Sequence, residues 1–224
     1  MSNQLAEAVK AKDADRARAL VKEDPSLAAE RDEEGLLPAT QALYRGQEDL
    51  ARELLPPDEA LSVFEAASFA RRERVDQLLT QDPQLAKAWS PDGFTVLHLS
   101  LFSGDEPTVR AVLERRPDLE AGARGTTAKD VKPIHTAAFV RNVKLAEVLI
   151  DAGADVNSRE ARGFTALHAA AENKDTEMVR MLLRRGADPT ARDDKGRTPV
   201  GLADEVGAPG TAAVLPTGGR EPAA

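Results

Sequence analysis

The sequence predicts an all-α solenoid built from one repeated helix-turn-helix unit, and three observations carry that expectation. The three histidines close matching tetrapeptides, Thr95-Val-Leu-His98, Lys132-Pro-Ile-His135 and Thr165-Ala-Leu-His168, at separations of 37 and 33 residues; a fixed period of this size is the signature of a repeat architecture. The same period extends in both directions. A step of 33 from His168 reaches Gly201 in Thr198-Pro-Val-Gly201, and a step of 33 back from His98 reaches Glu65. A further 25 residues back lies Thr40, and 33 before that Glu7. Finally, 42% of the residues are hydrophobic but only 4% are aromatic. A core of Ala, Leu and Val suits close-packed helices better than a β-sandwich, which favours β-branched and aromatic residues.

Seven registers imply about seven helix-turn-helix units, near 4–30, 35–57, 60–89, 93–120, 131–157, 163–190 and 196–206, in a single domain over 1–206. Thr165 and Thr198 can cap a helix start through the hydroxyl, and Pro133 and Pro199 suit a first helical position that needs no amide. Ala137, Ala138, Ala169 and Ala170 allow neighbouring helices to approach closely. In the second helix of the sixth unit, Met178, Val179, Leu182 and Leu183 form an apolar stripe at helical spacing. Gly153 and Gly186 stop second helices with a residue that tolerates positive φ, and Pro25, Pro83 and Pro117 do the same elsewhere by steric exclusion. No such unit buries its apolar face alone; stacked neighbours bury it together.

The fullest unit, Gly163-Phe-Thr-Ala-Leu-His-Ala-Ala-Ala-Glu followed by Met178-Val-Arg-Met-Leu-Leu-Arg-Arg-Gly-Ala-Asp188, resembles the ankyrin-repeat family. Its family pattern is G-x-T-P-L-H-x-A-A, then V-x-x-L-L, then G-A-D. The preceding unit, ending Val148-Leu-Ile-Asp-Ala-Gly-Ala-Asp-Val-Asn157, is nearly as close. The resemblance covers about 4–206 and is strongest over 93–203. It implies an ankyrin-repeat solenoid with short β-hairpin fingers and a concave groove. The first two units depart from the pattern, and units one and seven are expected to cap the array. The 25-residue step around Leu54-Leu55-Pro56-Pro57-Asp58 implies a missing finger. The 37-residue step through Glu120–Asp130 implies an enlarged, mobile one, and 207–224, rich in Gly, Pro and Ala, is expected to be a disordered tail.

The composition narrows the function. Without cysteine there is no disulfide framework or thiolate metal site. A net charge of −8 opposes nucleic-acid binding, which needs a basic face. No apolar run approaches membrane-spanning length and the start lacks a signal-peptide core, so a cytoplasmic, non-membrane protein is expected. The histidines occupy equivalent positions in stacked units, about 8–10 Å apart, whereas zinc ligands lie about 2 Å from the ion. They cannot share one metal, and the expected role is a hydrogen bond to backbone. With no nucleophile elbow, phosphate loop or metalloprotease motif, neither an enzyme nor a metal or cofactor is expected. Asp13, Asp15, Asp193 and Asp194 read as solvated loop acids.

A protein partner is the remaining expectation. The resemblance places binding residues on the first helices and the fingers. Four residues after the histidine register lie Tyr44, Phe69, Phe102 and Phe139, half of the chain's aromatic residues. Rings at such positions either anchor a partner or pack between repeats. Four residues before the finger glycine lie Trp89, Arg159 and Arg192, and one after it lie Phe94, Phe164 and Arg197. Together they predict a mixed aromatic and basic groove for a partner with an apolar or acidic surface. Thr95, His98, His135, Thr165, His168, Gly153 and Gly186 are expected to be structural. The leading expectation is a monomeric protein-binding scaffold or regulator; the alternatives are a self-associating structural module and a regulatory subunit of an enzyme.

Overall fold

A computed structural model describes residues 4–125 and 129–216. The helices run in pairs: α1 (Gln4–Lys10) with α2 (Ala14–Glu23), α3 (Pro38–Tyr44) with α4 (Glu48–Glu53), α5 (Val63–Ser68) with α6 (Arg72–Gln81), and α7 (Val96–Ser103) with α8 (Glu106–Leu113). Next come α9 (Pro133–Phe139) with α10 (Val143–Asp151), α11 (Ala166–Glu172) with α12 (Thr176–Arg184), and α13 (Pro199–Glu205) with α14 (Pro209–Ala212).

Capping sets where these helices begin. Thr95, Thr165 and Thr198 accept the amides of His98, His168 and Gly201 at 3.4, 3.4 and 3.3 Å. The second helices use Asp13, Asp105, Asn142 and Asp175, whose side chains accept from the third helical amide at 2.9–3.0 Å, which satisfies a donor the helix itself cannot. Asp13 is therefore a cap and not a loosely solvated acid. Gly153 and Gly186 follow α10 and α12 at φ of 104° and 90°, a backbone region costly for any residue with a Cβ.

The fingers are tight turns. The pairs Asp32–Leu36, Ser90–Phe94, Glu160–Phe164 and Asp193–Arg197 each close with an amide-to-carbonyl bond of 2.8–3.0 Å. Pairing resembling a β-ladder is limited, among the described residues, to the isolated antiparallel bridges Trp89–Thr95 and Arg124–Lys129. Adjacent fingers are tied edge to edge by Arg124 N to Gly93 O and Asp194 N to Arg162 O, at 2.8 and 2.9 Å. A Cβ on Gly93 would lie 2.7 Å from the Gly125 nitrogen, so the first of these approaches requires glycine. The described part of the long finger is anchored by Ala123 N to Val131 O and Asp130 N to Ala123 O; its centre, 126–128, lies outside the described residues. Between α4 and α5 there is no finger, only a short link with a 3-10 turn at Asp58–Ala60.

The first helices of successive pairs pack on one another from α5 through α7, α9 and α11 to α13, and α1 packs on α3. The contact between α3 and α5 is much slighter, as is that between α4 and α6. The core divides accordingly. A small cluster holds Leu5, Val9, Ala39, Ala42, Leu50 and Leu54, and a large one runs from Leu61 to Leu215. Leu37 joins the large cluster, and Leu55 packs against both.

The C-terminal expectation needs correction. Residues 207–216 are not a disordered tail: α14 forms there, and Ala208, Ala212 and Leu215 are buried in the large cluster. Their apolar faces cover α12 and α13, which otherwise would be bare. Residues 217–224 of that expected tail lie outside the described residues.

A solenoid's stability is close to a sum of unit and interface terms, and the α3–α5 interface is the weak one. Hydrogen exchange by mass spectrometry should therefore find amides of α1–α4 opening at lower free energy than those of α7–α12. Uniform protection along the chain would contradict two separable cores.

Candidate functional site: the cleft at the interrupted repeat junction

One bond recurs at the regular junctions. The Nε2 of His98, His135 and His168 lies 2.9, 3.0 and 3.1 Å from the carbonyl oxygens of Val131, Phe164 and Arg197. Each of these carbonyls sits two residues before the next first helix. A carbonyl only accepts, so Nε2 carries the hydrogen; Nδ1 then accepts from the amide of Thr95, Lys132 or Thr165 at 3.2–3.4 Å. All three rings are buried. Desolvation pushes the pKa values of His98 and His135 down to about 4 and lowers that of His168, against the raising effect of the carbonyl bond. The neutral ring is the form that fits.

The pattern fails beside the missing finger. Thr40 in α3 occupies the histidine register, 4% exposed, and its hydroxyl has no hydrogen-bond partner. The carbonyl equivalent to those of Val131, Phe164 and Arg197 is that of Leu61, and it instead accepts from the Arg74 guanidinium, with Nε at 3.2 Å. Glu65, next in the register, turns back across the junction. Its carboxylate pairs with Arg31, one contact at 3.1 Å, and accepts from Ser62 N at 2.7 Å. A second strut runs from the Tyr44 hydroxyl, which donates to Asp92 of the next finger. Desolvation of that hydroxyl, and then Asp92, raise the tyrosine pKa.

A cleft of about 1370 Å³ opens at this junction. It brings together Tyr44, Phe69, Trp89, Phe94 and Phe102 among the residues predicted for binding. Tyr44 and Phe102 are 46% and 42% exposed. Phe94 is half-buried and meets Phe102 edge to face at 5.5 Å, an arrangement that favours aromatic pairs. Phe69 is half-buried and packs on the small core cluster. Trp89 donates through Nε1 to Gly122 O at 3.3 Å, and the Arg124 guanidinium lies 3.3 Å above its ring. Arg124, with Arg52 and Arg71, supplies the basic character of the cleft.

The other predicted residues lie elsewhere. Phe139, 67% exposed, stands outside the cleft lining. Phe164 does not face a partner: it is buried, stacked on His168 at 5.0 Å and covered by Arg162. Arg197 is held by Asp193 at 2.7 Å and Glu205 at 3.4 Å. Asp193 is likewise buried, not solvated, and its carboxylate accepts from the amides of Lys195 and Arg197. Arg159 and Arg192 are exposed, but each donates to a finger carbonyl, of Arg192 and Gly196 respectively. The aromatic and basic residues that the structure brings together thus meet at the junction, with Phe139, Arg159 and Arg192 exposed outside it, and the arginines of the cleft are not the predicted ones.

No group of metal-binding side chains and no helix long and apolar enough to cross a membrane occurs among the described residues. Paired helices, stapled turns and packed first helices define a helical-repeat solenoid. Two family models match it: "Ankyrin repeats (3 copies)" over 63–160 and "Ankyrin repeats (many copies)" over 149–203. Together they span more than half of the chain, which belongs to the ankyrin-repeat family. Both describe ankyrin repeats, and neither names a catalytic family. Ankyrin repeats generally mediate protein–protein interaction.

Among curated proteins the chain is similar to the rat "Ankyrin repeat and SAM domain-containing protein 6", 27% identical over 105 residues, 46% of this chain. It is also similar to a "Probable DNA ligase" of Mycolicibacterium vanbaalenii, 36% identical over 88 residues, 38% of this chain. It spans 11% and 14% of the lengths of those relatives.

The neutral histidines make stability depend on pH. Their folded pKa values lie below the unfolded value of 6.5, so between pH 6.5 and about 4 the unfolded chain binds more protons and acid favours unfolding. At pH 5, His98 and His135 should each remove on the order of 2 kcal/mol relative to pH 7. Urea denaturation at the two pH values checks this; equal midpoints would mean that the rings protonate in place.

Proposed function

We propose that this chain is a protein-binding scaffold or regulator of the cytoplasm, without catalytic activity of its own. Its partner lies along the concave side of about seven repeat units, in the cleft at the interrupted junction. The observation that carries this reading is the pair of exposed rings, Tyr44 and Phe102, facing a cleft that Phe94 and Trp89 continue. Tyrosine and tryptophan are rigid amphipathic anchors, and a few such residues dominate interface energies. Phe139 continues the same helix-end position one unit farther and extends the surface.

Charge supports a partner that is apolar with local acidic groups. Arg124 has no carboxylate partner among the described residues, and its guanidinium lies flat on Trp89. This leaves the guanidinium edge available for a bidentate carboxylate. Arg52 and Arg71 already face Glu48 and Asp58 at 3.5 and 3.4 Å and contribute less.

Quantitative pull-down from native cytosol, followed by titration of the captured partner, tests the proposal. The variant Tyr44→Ala/Phe102→Ala, verified as folded by circular dichroism, should bind at least tenfold more weakly, since two truncated anchors remove more than 1.4 kcal/mol. Equal affinity would move the site off the cleft. A mass of twice the chain in solution would favour self-association instead.

A further inference from the structure

Beside the Tyr44–Asp92 strut lies a second, half-open cavity of about 320 Å³, far more space than a single bridging water needs. Thr40, Ser62, Phe64 and Leu99 line it, and Gly35 and Pro91 border it from the two flanking fingers. It adjoins the aromatic cleft, sharing Tyr44, Ser68 and Asp92 with it. The cavity occupies the space in the row of fingers that the link between α4 and α5 leaves open.

The chemistry left open in this space is specific. At three regular junctions the side chain in the third helical position donates to a backbone carbonyl of the next finger. Thr40 holds that position with a buried hydroxyl that has nothing to donate to. The carbonyl that would have served, Leu61 O, is bound by Arg74. The buried side-chain atoms without a partner among the described residues are Thr40 Oγ1, its neighbour Gln41 Oε1, and Thr136 Oγ1. Of these three, Thr40 is the one that lines the cavity. Buried polar atoms in folded proteins are nearly always satisfied, and a missing backbone carbonyl is what an extended peptide supplies.

We propose that the partner inserts an extended segment into this cavity, taking the place of the absent finger, with the Thr40 side chain, whose hydroxyl is covered in the free protein, turning about its Cα–Cβ bond to donate to one of the segment's backbone carbonyls. The segment enters from the cleft past Tyr44, and a neighbouring carboxylate on it reaches Arg124. This assignment rests on the cleft being the partner site and specifies what the partner contributes: an extended loop or terminus, with an apolar residue beside an acidic one.

The test uses the full chain and two single variants. Peptides displayed in extended and loop formats are selected on wild type, and the enriched sequences are synthesised and titrated. Thr40→Val keeps the side-chain shape and removes only the hydroxyl. The free variant should melt no lower than wild type, because an unsatisfied buried group has been removed. It should bind the selected peptides about tenfold more weakly, the value of one hydrogen bond and its unpaired acceptor. Phe102→Ala should also weaken them. Peptides sensitive to Phe102→Ala but indifferent to Thr40→Val would overturn the insertion and leave the cleft standing. Indifference to both would remove the cleft reading as well. Selection of no peptide overturns the extended-segment partner. Separately, an insertion after Ala60 that copies residues 156–163 should raise the melting temperature and abolish peptide binding. A copied finger that folds but leaves binding intact would show that the cavity is not where the peptides sit.

Discussion

The architecture depends on a bond between a buried neutral imidazole in one repeat and the backbone carbonyl that precedes the next first helix. Made by His98, His135 and His168, it does two things at once. It fixes each ring in its Nε2-protonated form, with Nδ1 tied to the start of its own helix. It also fixes how far the next finger stands from the helix before it, so first helices pack and fingers meet edge to edge. A repeat that cannot bury its apolar face alone acquires both a neighbour and a defined offset from it.

Where the bond is absent, other interactions take over, and they differ in kind. Between α5 and α7 the register residue is Glu65, which is turned to Arg31 instead, and the junction is held by packing and by Arg115, which reaches Thr80 at 3.1 Å and Asp76 at 3.9 Å on α6. Between α3 and α5 even the packing is slight, and the ties are polar. Arg31–Glu65 buries a carboxylate against a half-exposed guanidinium, and Tyr44–Asp92 spans the opening. Ion pairs with a buried member recover their desolvation cost only through good geometry and extra hydrogen bonds; Ser62 supplies these to Glu65. The result holds the two cores together without filling the space between them.

The 33-residue period made the fold legible, because one repeated pattern specifies helix starts, apolar stripes and stops simultaneously. The 25-residue step likewise marked the missing finger, since the chain is too short there to make one. The fate of individual finger residues was not legible. Phe94 and Phe164 share a register, yet the first meets Phe102 at the cleft while the second lies beneath Arg162 on His168. The difference comes from what each unit sets beside its ring: Phe102 follows His98 by four residues where Glu172 follows His168, and Arg162 precedes Gly163 where Asp92 precedes Gly93. Arg124 escaped notice because the long finger breaks the register: Asp130, at φ 58°, stands where the other fingers have glycine. Arg197, expected to face the groove, and Asp193, expected to be solvated, are a similar case: the two charges satisfy each other in a turn.

The interrupted junction is thermodynamically the odd one. A finger between α4 and α5, with a histidine at position 40, would pair Thr40's orphaned position, fill the cavity and join the two cores into one. Natural sequences agree with their folds at most levels, and the places where local rules fail are where function is to be sought. Here several failures coincide: a lost staple, an unpaired hydroxyl, slight helix packing and exposed aromatic rings. Any one of them is ordinary in a stable protein. The staple is missing at the flanking α5–α7 junction too, but only between α3 and α5 does its loss coincide with an unpaired hydroxyl and slight packing, and that coincidence is what favours the cleft over an aromatic ladder spread evenly along the solenoid.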